Sequence, residues 1–255
     1  LAWIGVLLAA GAFAVLLAGV VTLSERRGAF VSAVTHELRT PLTTFRMYAE
    51  MLADGMVPDE ARRREYLQTL CTEANRLSHL VENVLAYARL ERGRTGGAME
   101  IMRLRDLMDR VRERLTQHAE HADMTLALAP DTLSSACEVH TDPSAVEQIL
   151  FNLVDNACKY ARGADDRRIH LEMGESGSWA FLRVQDHGPG IAAADRPHLL
   201  QPFSKSAQRA ANTAPGIGLG LALSRRLARQ LGGDLILRPG PGAIFELRLP
   251  KGGKG

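Results

Sequence analysis

His36 and Thr40 stand four residues apart in the run His36-Glu37-Leu38-Arg39-Thr40-Pro41-Leu42, a spacing that puts both on one face of a helix. His36 falls off the apolar stripe through Val34 and Leu38, so its ring should reach solvent. A neutral, exposed imidazole is a good nucleophile near pH 7. Glu37 beside it could orient the ring or take its proton. Pro41 removes one helical hydrogen bond and frees the Glu37 carbonyl, so a local bend is expected. Alone, such a histidine is more often an inert surface residue and such a proline a simple kink.

Three further constellations follow along the chain. Asp142-Pro143 reads as an N-cap with proline at the first helical position. In the helix it opens, Val146, Ile149, Leu150, Leu153, Val154 and Ala157 form the buried face. Asn152, Asn156 and Lys159 lie on a neighbouring stripe. Asparagine is a poor helix former, but its amide oxygen can ligate Mg²⁺ when phosphates supply other oxygens, and a lysine can meet phosphate charge. A merely solvated face is the plainer alternative. Asp186-His187-Gly188-Pro189-Gly190-Ile191 closes a strand. There a carboxylate, acceptor-only, could take a proton from a ligand amino group, and the glycines let a flat ligand approach the backbone. A plain turn would look similar. Gly216-Ile217-Gly218-Leu219-Gly220-Leu221 runs into a helix, a natural phosphate cradle. The polar loop before it is not a strand, so a dinucleotide-binding reading lacks its required context.

The elements that must position these groups are legible as patterns. Val31, Val34, Leu38, Leu42, Phe45, Ala49 and Leu52 are spaced by three or four. Leu67, Leu70, Ala74, Leu77, Val81, Val84 and Ala88 keep a 3-4-3-4 rhythm, the seam of a coiled coil or antiparallel bundle. Asp54-Gly55-Met56-Val57-Pro58 is a loop signal, and Pro58-Asp59-Glu60 suits a helix start. A lone hairpin would leave an apolar stripe on each helix, which a homodimeric four-helix bundle buries. Glu91–Gly97 reads as a linker. Beyond it the pattern predicts helices over 103–121, 143–161 and 218–231 and a short one over 192–200. It predicts strands over 124–128, 168–173 and 178–185, and a hairpin of 234–238 with 243–249 across Pro239-Gly240-Pro241-Gly242. Residues 201–216 are polar and irregular. This mixture predicts an α+β sandwich, one sheet covered on one face by helices.

Composition sets the outer limits. Hydrophobic residues make up 46% and charged ones 24%, which excludes a disordered chain, a collagen and a multi-span membrane protein. With 31 Lys+Arg against 29 Asp+Glu the net charge is +2, so nothing calls for nucleic acid. Cys71, Cys137 and Cys158 are far apart and form no zinc spacing, which suggests free thiols. Cys158 suits packing. His118 and His121 could suggest a metal pair, but two ligands are too few and they read as surface residues. Residues 1–23 carry no charge. As a helix they would run about 34 Å, enough for a transmembrane span. Arg26 and Arg27 after them favour an inside location downstream. A signal peptide would need a basic start and a cleavage site, and neither is evident. The chain begins with Leu, so an upstream part, such as a sensor domain, is expected.

Taken in order, the four constellations resemble a bacterial sensor histidine kinase, with a HisKA-type dimerisation and phosphoacceptor domain and a GHKL-type (Bergerat) ATP-binding domain. The resemblance covers about residues 24–250: the H box at His36, the N box Asn152-Leu153-Val154-Asp155-Asn156-Ala157-Cys158-Lys159-Tyr160, the G1 box at Asp186, an F box at Phe203 and the G2 box at 216–221. It implies that His36 receives the γ-phosphoryl group of ATP, that Glu37 assists proton transfer, and that Thr40 serves a phosphatase reaction on the partner. It implies Asn156 as the Mg²⁺ ligand, with Asn152, Lys159 and Tyr160 at the nucleotide. Asp186 would bind the adenine amino group, with Gly188 and Gly190 lining its pocket. Gly216, Gly218, Gly220 and Leu221 would sit at the lid hinge and phosphates, where Lys205 and Arg209 could add charge. Ile217, Pro215, Leu200 and Ser204 depart from the family's usual Thr, Gly and aromatic residues, which bears on lid closure. Only about 13 residues separate the apolar segment from His36, too few for a HAMP relay, so on a continuous helix His36 would lie roughly 20 Å from the membrane edge.

The implied division is a transmembrane helix over 1–23, a dimerisation hairpin over 24–92, a linker over 93–100, an ATP-binding domain over 101–250 and a tail over 251–255. The implied partners are a second copy and a response-regulator receiver domain, with no nucleic acid. The implied location is the bacterial inner membrane, with the kinase part in the cytoplasm. A dimeric scaffold or phosphatase-biased member, or a GHKL ATPase without histidine transfer, stays open.

Overall fold

The computed structural model describes residues 2–91, 97–129, 137–202 and 218–252. The chain forms two compact units, Leu1–Val81 and Glu82–Gly255.

The first unit is built from two helices. Helix α1 (Ala2–Ala53) runs unbroken through the charge-free segment and past Arg26 and Arg27. Among the described residues no helix is long and apolar enough to cross a membrane. The span expected at 1–23 is therefore without structural support: the apolar stretch is the start of one 52-residue helix rather than an element of its own. Gly55, at φ +67°, turns the chain in a conformation that favours glycine. Helix α2 (Glu60–Glu91) returns from it. The Asp59 carboxylate accepts from the N–H groups of Ala61 and Arg62, both at 3.4 Å, a weak cap at the expected start. Tyr48 and Tyr66 meet edge to face at 4.5 Å and fix the hairpin. Val31, Leu42, Leu67 and Val81 keep 46–60% of their surface exposed, the unpartnered stripe the rhythm predicts.

The second unit holds the predicted sandwich. The last turns of α2 belong to it, with Leu90 buried and Ala86 and Tyr87 packed on its core. Strand β1 (Glu100–Arg103), helix α3 (Leu104–His121), strands β2 (Thr125–Leu128) and β3 (Glu138–Thr141) and helix α4 (Pro143–Tyr160) follow. Strands β4 (Arg168–Ser176) and β5 (Trp179–Gln185), helix α5 (Gly220–Gln230) and strands β6 (Asp234–Arg238) and β7 (Ile244–Pro250) complete it. The five-stranded sheet has the order β2-β4-β5-β7-β6 and is antiparallel except for β2 with β4. Alternation sorts its faces: Ile169, Leu171, Ala180, Leu182, Val184, Leu235, Leu247 and Leu249 are all buried, in one core with the apolar faces of α3, α4 and α5.

Two details differ from the pattern. A separate two-stranded sheet of β1 with β3 has no counterpart in the prediction, because four-residue strands carry too little alternation to read. The helix expected over 192–200 is instead a series of turns. Its bonds run from Asp195 to Ala192, His198 to Asp195 and Gln201 to His198, each spanning three residues. Pro197 interrupts any longer ladder, having no N–H.

The sheet face away from the helices carries charge. Glu172, Arg183 and Glu246 stand in register across β4, β5 and β7. The Glu246 carboxylate is 3% exposed and meets Arg183 at 2.8 Å, Arg248 at 2.8 Å and Arg238 at 3.1 Å. Burial alone would raise its pKa, but the hydrogen bonds from Arg183 and Arg248 and the charge of Arg238 outweigh it and hold it low. The carboxyl titrates lower folded than unfolded. Its stabilisation is therefore complete above about pH 5 and lost as acid protonates the folded form. Glu246→Gln should cost about 2 kcal/mol at pH 7. Its thermal midpoint should fall less than that of the parent between pH 6 and pH 3, as followed by circular dichroism.

Candidate nucleotide and phosphoacceptor sites

Helix α4 is the hub of the second unit's site. Its start is capped as predicted: the Asp142 carboxylate accepts from Ser144 at 2.9 Å and Ala145 at 3.4 Å. The same side chain accepts from Gly97 N–H, a tie that sequence does not reveal. Midway, Asn152 is buried and its amide donates to Ser224 Oγ at 3.3 Å and to the Gly220 carbonyl at 3.5 Å. Asn152 thereby holds the first turn of α5, where the glycine-rich run enters the helix. A Cβ on Gly220 would meet the Asn152 amide at 3.7 Å, an ordinary contact. Gly218, at φ +72°, takes the left-handed turn before it, and Leu221 packs against the core.

One turn further, Asn156 is half-buried, and among the described residues its side-chain amide has no hydrogen-bond partner. Lys159 is ion-paired with Asp155. His118 of α3 reaches the same carboxylate at 3.3 Å and stacks on Phe151 at 4.4 Å. It is half-buried and paired rather than the surface residue predicted, because α3 packs this face on α4. Burial would raise the Asp155 pKa, but His118 and Lys159 together bring it below the usual range. His121 is exposed and bonds only one turn back, to the Gln117 carbonyl. Burial pushes the Cys158 thiol up to about 12, so it stays a packed, protonated group.

At the end of α4 the Asp186 turn closes against it. A Cβ on Gly188 would stand 3.0 Å from the Tyr160 carbonyl and 3.3 Å from Ala161 Cα, so only glycine fits easily. Asp186 is 6% exposed. Its Oδ1 accepts two backbone N–H groups, from Gly188 at 2.9 Å and Ala243 at 3.0 Å. Its own N–H donates to the Ala243 carbonyl at 3.1 Å. Burial raises the carboxyl's pKa, and the two N–H bonds oppose that. Among the described residues no protein donor meets Oδ2, which leaves that oxygen for a ligand donor.

The pattern of residues misses Gly242 and Ala243, which anchor Asp186 from 57 residues away. Gly242 adopts φ +71°, and a Cβ there would fall 1.9 Å from the Asp186 carbonyl. The clustered glycines of the hairpin were the available signal, but they read as a turn. The predicted Phe203, Ser204, Lys205, Arg209, Pro215, Gly216 and Ile217 lie outside the described residues. Thus Asn152, Asn156, Tyr160, Asp186, Gly188 and Gly220 gather on or against α4.

In the first unit, His36 and Thr40 are both exposed and Pro41 is buried within α1. The Glu37 carboxylate is 18% exposed and lies 3.7 Å from the Arg76 guanidinium of α2, which also meets Glu73 at 3.5 Å. Sequence reading misses Arg76. It holds the Glu37 carboxylate against α2, whereas His36, the residue before it, is exposed.

The second unit is thus a five-stranded sheet layered on helices, with a buried carboxylate in the turn that closes on an asparagine-bearing helix, and the first is a helical hairpin that carries a histidine. Residues 141–253 match the family described as histidine kinase-, DNA gyrase B- and HSP90-like ATPase, and residues 26–93 match the His Kinase A (phospho-acceptor) domain. The chain belongs to the sensor histidine kinases. It is 27% identical over 234 residues to the sensor protein SrrB of Staphylococcus aureus, a match covering 90% of this chain and 39% of SrrB. The chain thus spans about two-fifths of the length of the curated relatives it matches. The Acinetobacter baumannii histidine kinase AdeS superposes with a TM-score of 0.62 at 26% identity, over 86% of this chain and 98% of that one. Full-length ShkA, solved with AMPPNP, shares the fold at a TM-score of 0.58 and 24% identity, over 86% and 45%.

The steric limit at Gly242 is testable without any ligand. Gly242→Ala forces a left-handed alanine into the Asp186 carbonyl and should destabilise the chain by about 3 kcal/mol. Thermal melts against a control Gly177→Ala, which also has a positive φ, +59°, but open space around it, separate the collision from the dihedral strain.

Proposed function

We propose that the chain autophosphorylates on His36 from ATP and passes the phosphoryl group to an aspartate of a response-regulator protein. The observation that carries this reading is the Asp186 carboxylate, fixed by two backbone N–H groups through one oxygen and left with the other for a ligand's amino group. Adenine has such an amino group, and Gly188 and Gly190 would let its flat ring approach. Asn152, Lys159, Tyr160, Gly216, Gly218, Gly220, Leu221 and Lys205 would complete the nucleotide site.

Mg²⁺ fits the residues present. Asn156 offers a half-buried amide with no protein partner among the described residues, a hard oxygen suited to that ion when phosphates supply further ligands. When bound, the ion supplies charge neutralisation at the phosphates. The chain's own part is alignment. An imidazole nitrogen of His36 attacks the γ-phosphorus, a P–N bond forms, the bond to the β-phosphate oxygen breaks, and ADP leaves. Glu37, held by Arg76, would take or steer the ring proton. Thr40, on the same helix face, would serve the phosphatase reaction on the phosphorylated partner.

The remaining assignments belong to the same proposal. The exposed Val31, Leu42, Leu67 and Val81 support a homodimer through the hairpin over 24–92, and the matched phospho-acceptor domain supports it too. Residues 93–100 would link it to an ATP-binding domain over 101–250. The charge-free run 1–23, followed by Arg26 and Arg27, supports anchorage in the bacterial inner membrane with the kinase part on the cytoplasmic side.

Incubation of the 255-residue chain with γ-labelled ATP and Mg²⁺ should give acid-labile, base-stable label. His36→Gln should give none while still binding ATP. Asp186→Asn should weaken nucleotide binding at least about tenfold, equivalent to about 1.4 kcal/mol, with His36 intact. Equal labelling of the parent and His36→Gln would move the acceptor elsewhere, and bound ATP without label would favour the scaffold.

A further inference from the structure

The residue after Asp186 has no place in the mechanism above, yet it sits in a built cluster. His187 Nε2 lies 3.5 Å from Asp166 Oδ2. Its ring meets His170 edge to face, with centroids 5.1 Å apart and planes at 73°. One ligand atom from each of Asp166, His170 and His187 lies within 4.8 Å of the others. All three side chains are half-buried, and among the described residues the buried His187 Nε2 has no hydrogen-bond partner. The topology explains the meeting. His170 pairs in register with Gln185, and His187 follows two residues later. Both project from the sheet face opposite the core at the end where β4 begins and β5 ends. Asp166 precedes β4 by two residues.

We propose that Asp166, His170 and His187 bind a late first-row divalent cation, Zn²⁺ by preference. Two imidazoles and a carboxylate are the donor set such ions favour over Mg²⁺. Tetrahedral ligation at about 2.0–2.1 Å needs donor atoms about 3.3 Å apart. The 3.5 Å pair already meets that distance, and rotation of the His170 ring closes the rest. Three protein donors leave a fourth position for water. The unpartnered His187 nitrogen gains the partner that its burial otherwise denies it.

Arg168 is the built-in competitor. Its guanidinium holds Asp166 through Nε at 2.9 Å to Oδ1 and 3.2 Å to Oδ2 and through Nη2 at 2.7 Å, and its backbone N–H adds a fourth bond at 3.0 Å. A carboxylate offers about four acceptor positions, and Arg168 fills them, so the cation must displace the longest of these bonds, Nε to Oδ2 at 3.2 Å. The guanidinium charge opposes the cation and sets a modest affinity. Resting on the nucleotide assignment above, the site has a regulatory consequence. His187 lies between Asp186 and Gly188, whose N–H fixes the Asp186 carboxylate. A cation pinning His187 restrains that turn, and nucleotide and cation then alter each other's affinity by the same factor.

The test uses the full chain, stripped of metal and free of nucleotide. Zn²⁺ titration by calorimetry and Co²⁺ titration by visible absorption should each show one equivalent bound. His170→Gln and Asp166→Asn should each weaken it at least about tenfold. Arg168→Ala, which keeps all three donors and removes the competitor, should tighten it. Absence of a stoichiometric ion, or uptake unchanged in both donor variants, would overturn the site. Affinity for a fluorescent ATP analogue should then shift with Zn²⁺ in the parent and not in His170→Gln. If the analogue binds no variant under any condition, the nucleotide reading fails while the metal titration still decides the cation site.

Discussion

A buried carboxylate is the constraint on which the rest of the second unit depends. Removing Asp186 from water costs several kcal/mol. Its two hydrogen bonds from Gly188 and Ala243 return about 1.5–3 kcal/mol each. Burial still outweighs those bonds and leaves the carboxyl's pKa raised, so the group is tolerated rather than strongly stabilising. That balance constrains the neighbouring backbone tightly. Gly188 must abut the end of α4, and Gly242 must turn left-handed against the Asp186 carbonyl. Gly190 faces Gly242, its own Cβ position 3.0 Å from the Gly242 carbonyl. Gly242 is thus required by the Asp186 carbonyl, Gly188 by the end of α4, and Gly190 by Gly242.

The same logic makes α4 the reference for the site. It is fixed at its start by Asp142 and Pro143, in its middle by Asn152 against α5, and at its end by the Asp186 turn. Its buried face anchors it in the core. The groups left over on its other stripe are therefore held without being consumed by packing. Among the described residues, nothing engages the Asn156 amide. Lys159 is committed to Asp155, and a phosphate would have to compete with that pair for it.

Periodicity made the large elements readable. The hairpin helices, α3, α4, α5 and the β4, β5, β6 and β7 strands follow from apolar spacing, because each buries one face and must repeat accordingly. The site was readable where its residues are contiguous: Asp186 with its glycines, and Asn152 to Tyr160 on one helix. What sequence could not show is what depends on distant pairing. Arg76 beside Glu37, Ala243 on Asp186, and His118 on Asp155 each join residues 37 or more positions apart, and no local pattern encodes them. The strands β1 and β3 were missed for a related reason, since a four-residue strand is specified by its partner more than by itself. The turns over 192–200 show the converse, where helical composition loses to one proline.

The two halves of the proposed reaction place opposite demands on structure, and the chain meets each in its own unit. A pocket that recognises adenine through one oxygen must be rigid, since misplacement by about 1 Å can cost a hundredfold in rate. Asp186 has that rigidity from backbone donors, which cannot rotate away as side chains do. A phosphoacceptor must instead be reached by two successive partners, a nucleotide and then a receiver domain, so it cannot be buried by either. His36 is accordingly exposed on a helix surface. The next residue, Glu37, is tied back to α2 by Arg76. Any rotation of α2 against α1 within the hairpin would move Arg76 and strain its pair with that carboxylate. A signal that repacks the hairpin would therefore act on the Arg76–Glu37 ion pair before it acts on the exposed imidazole.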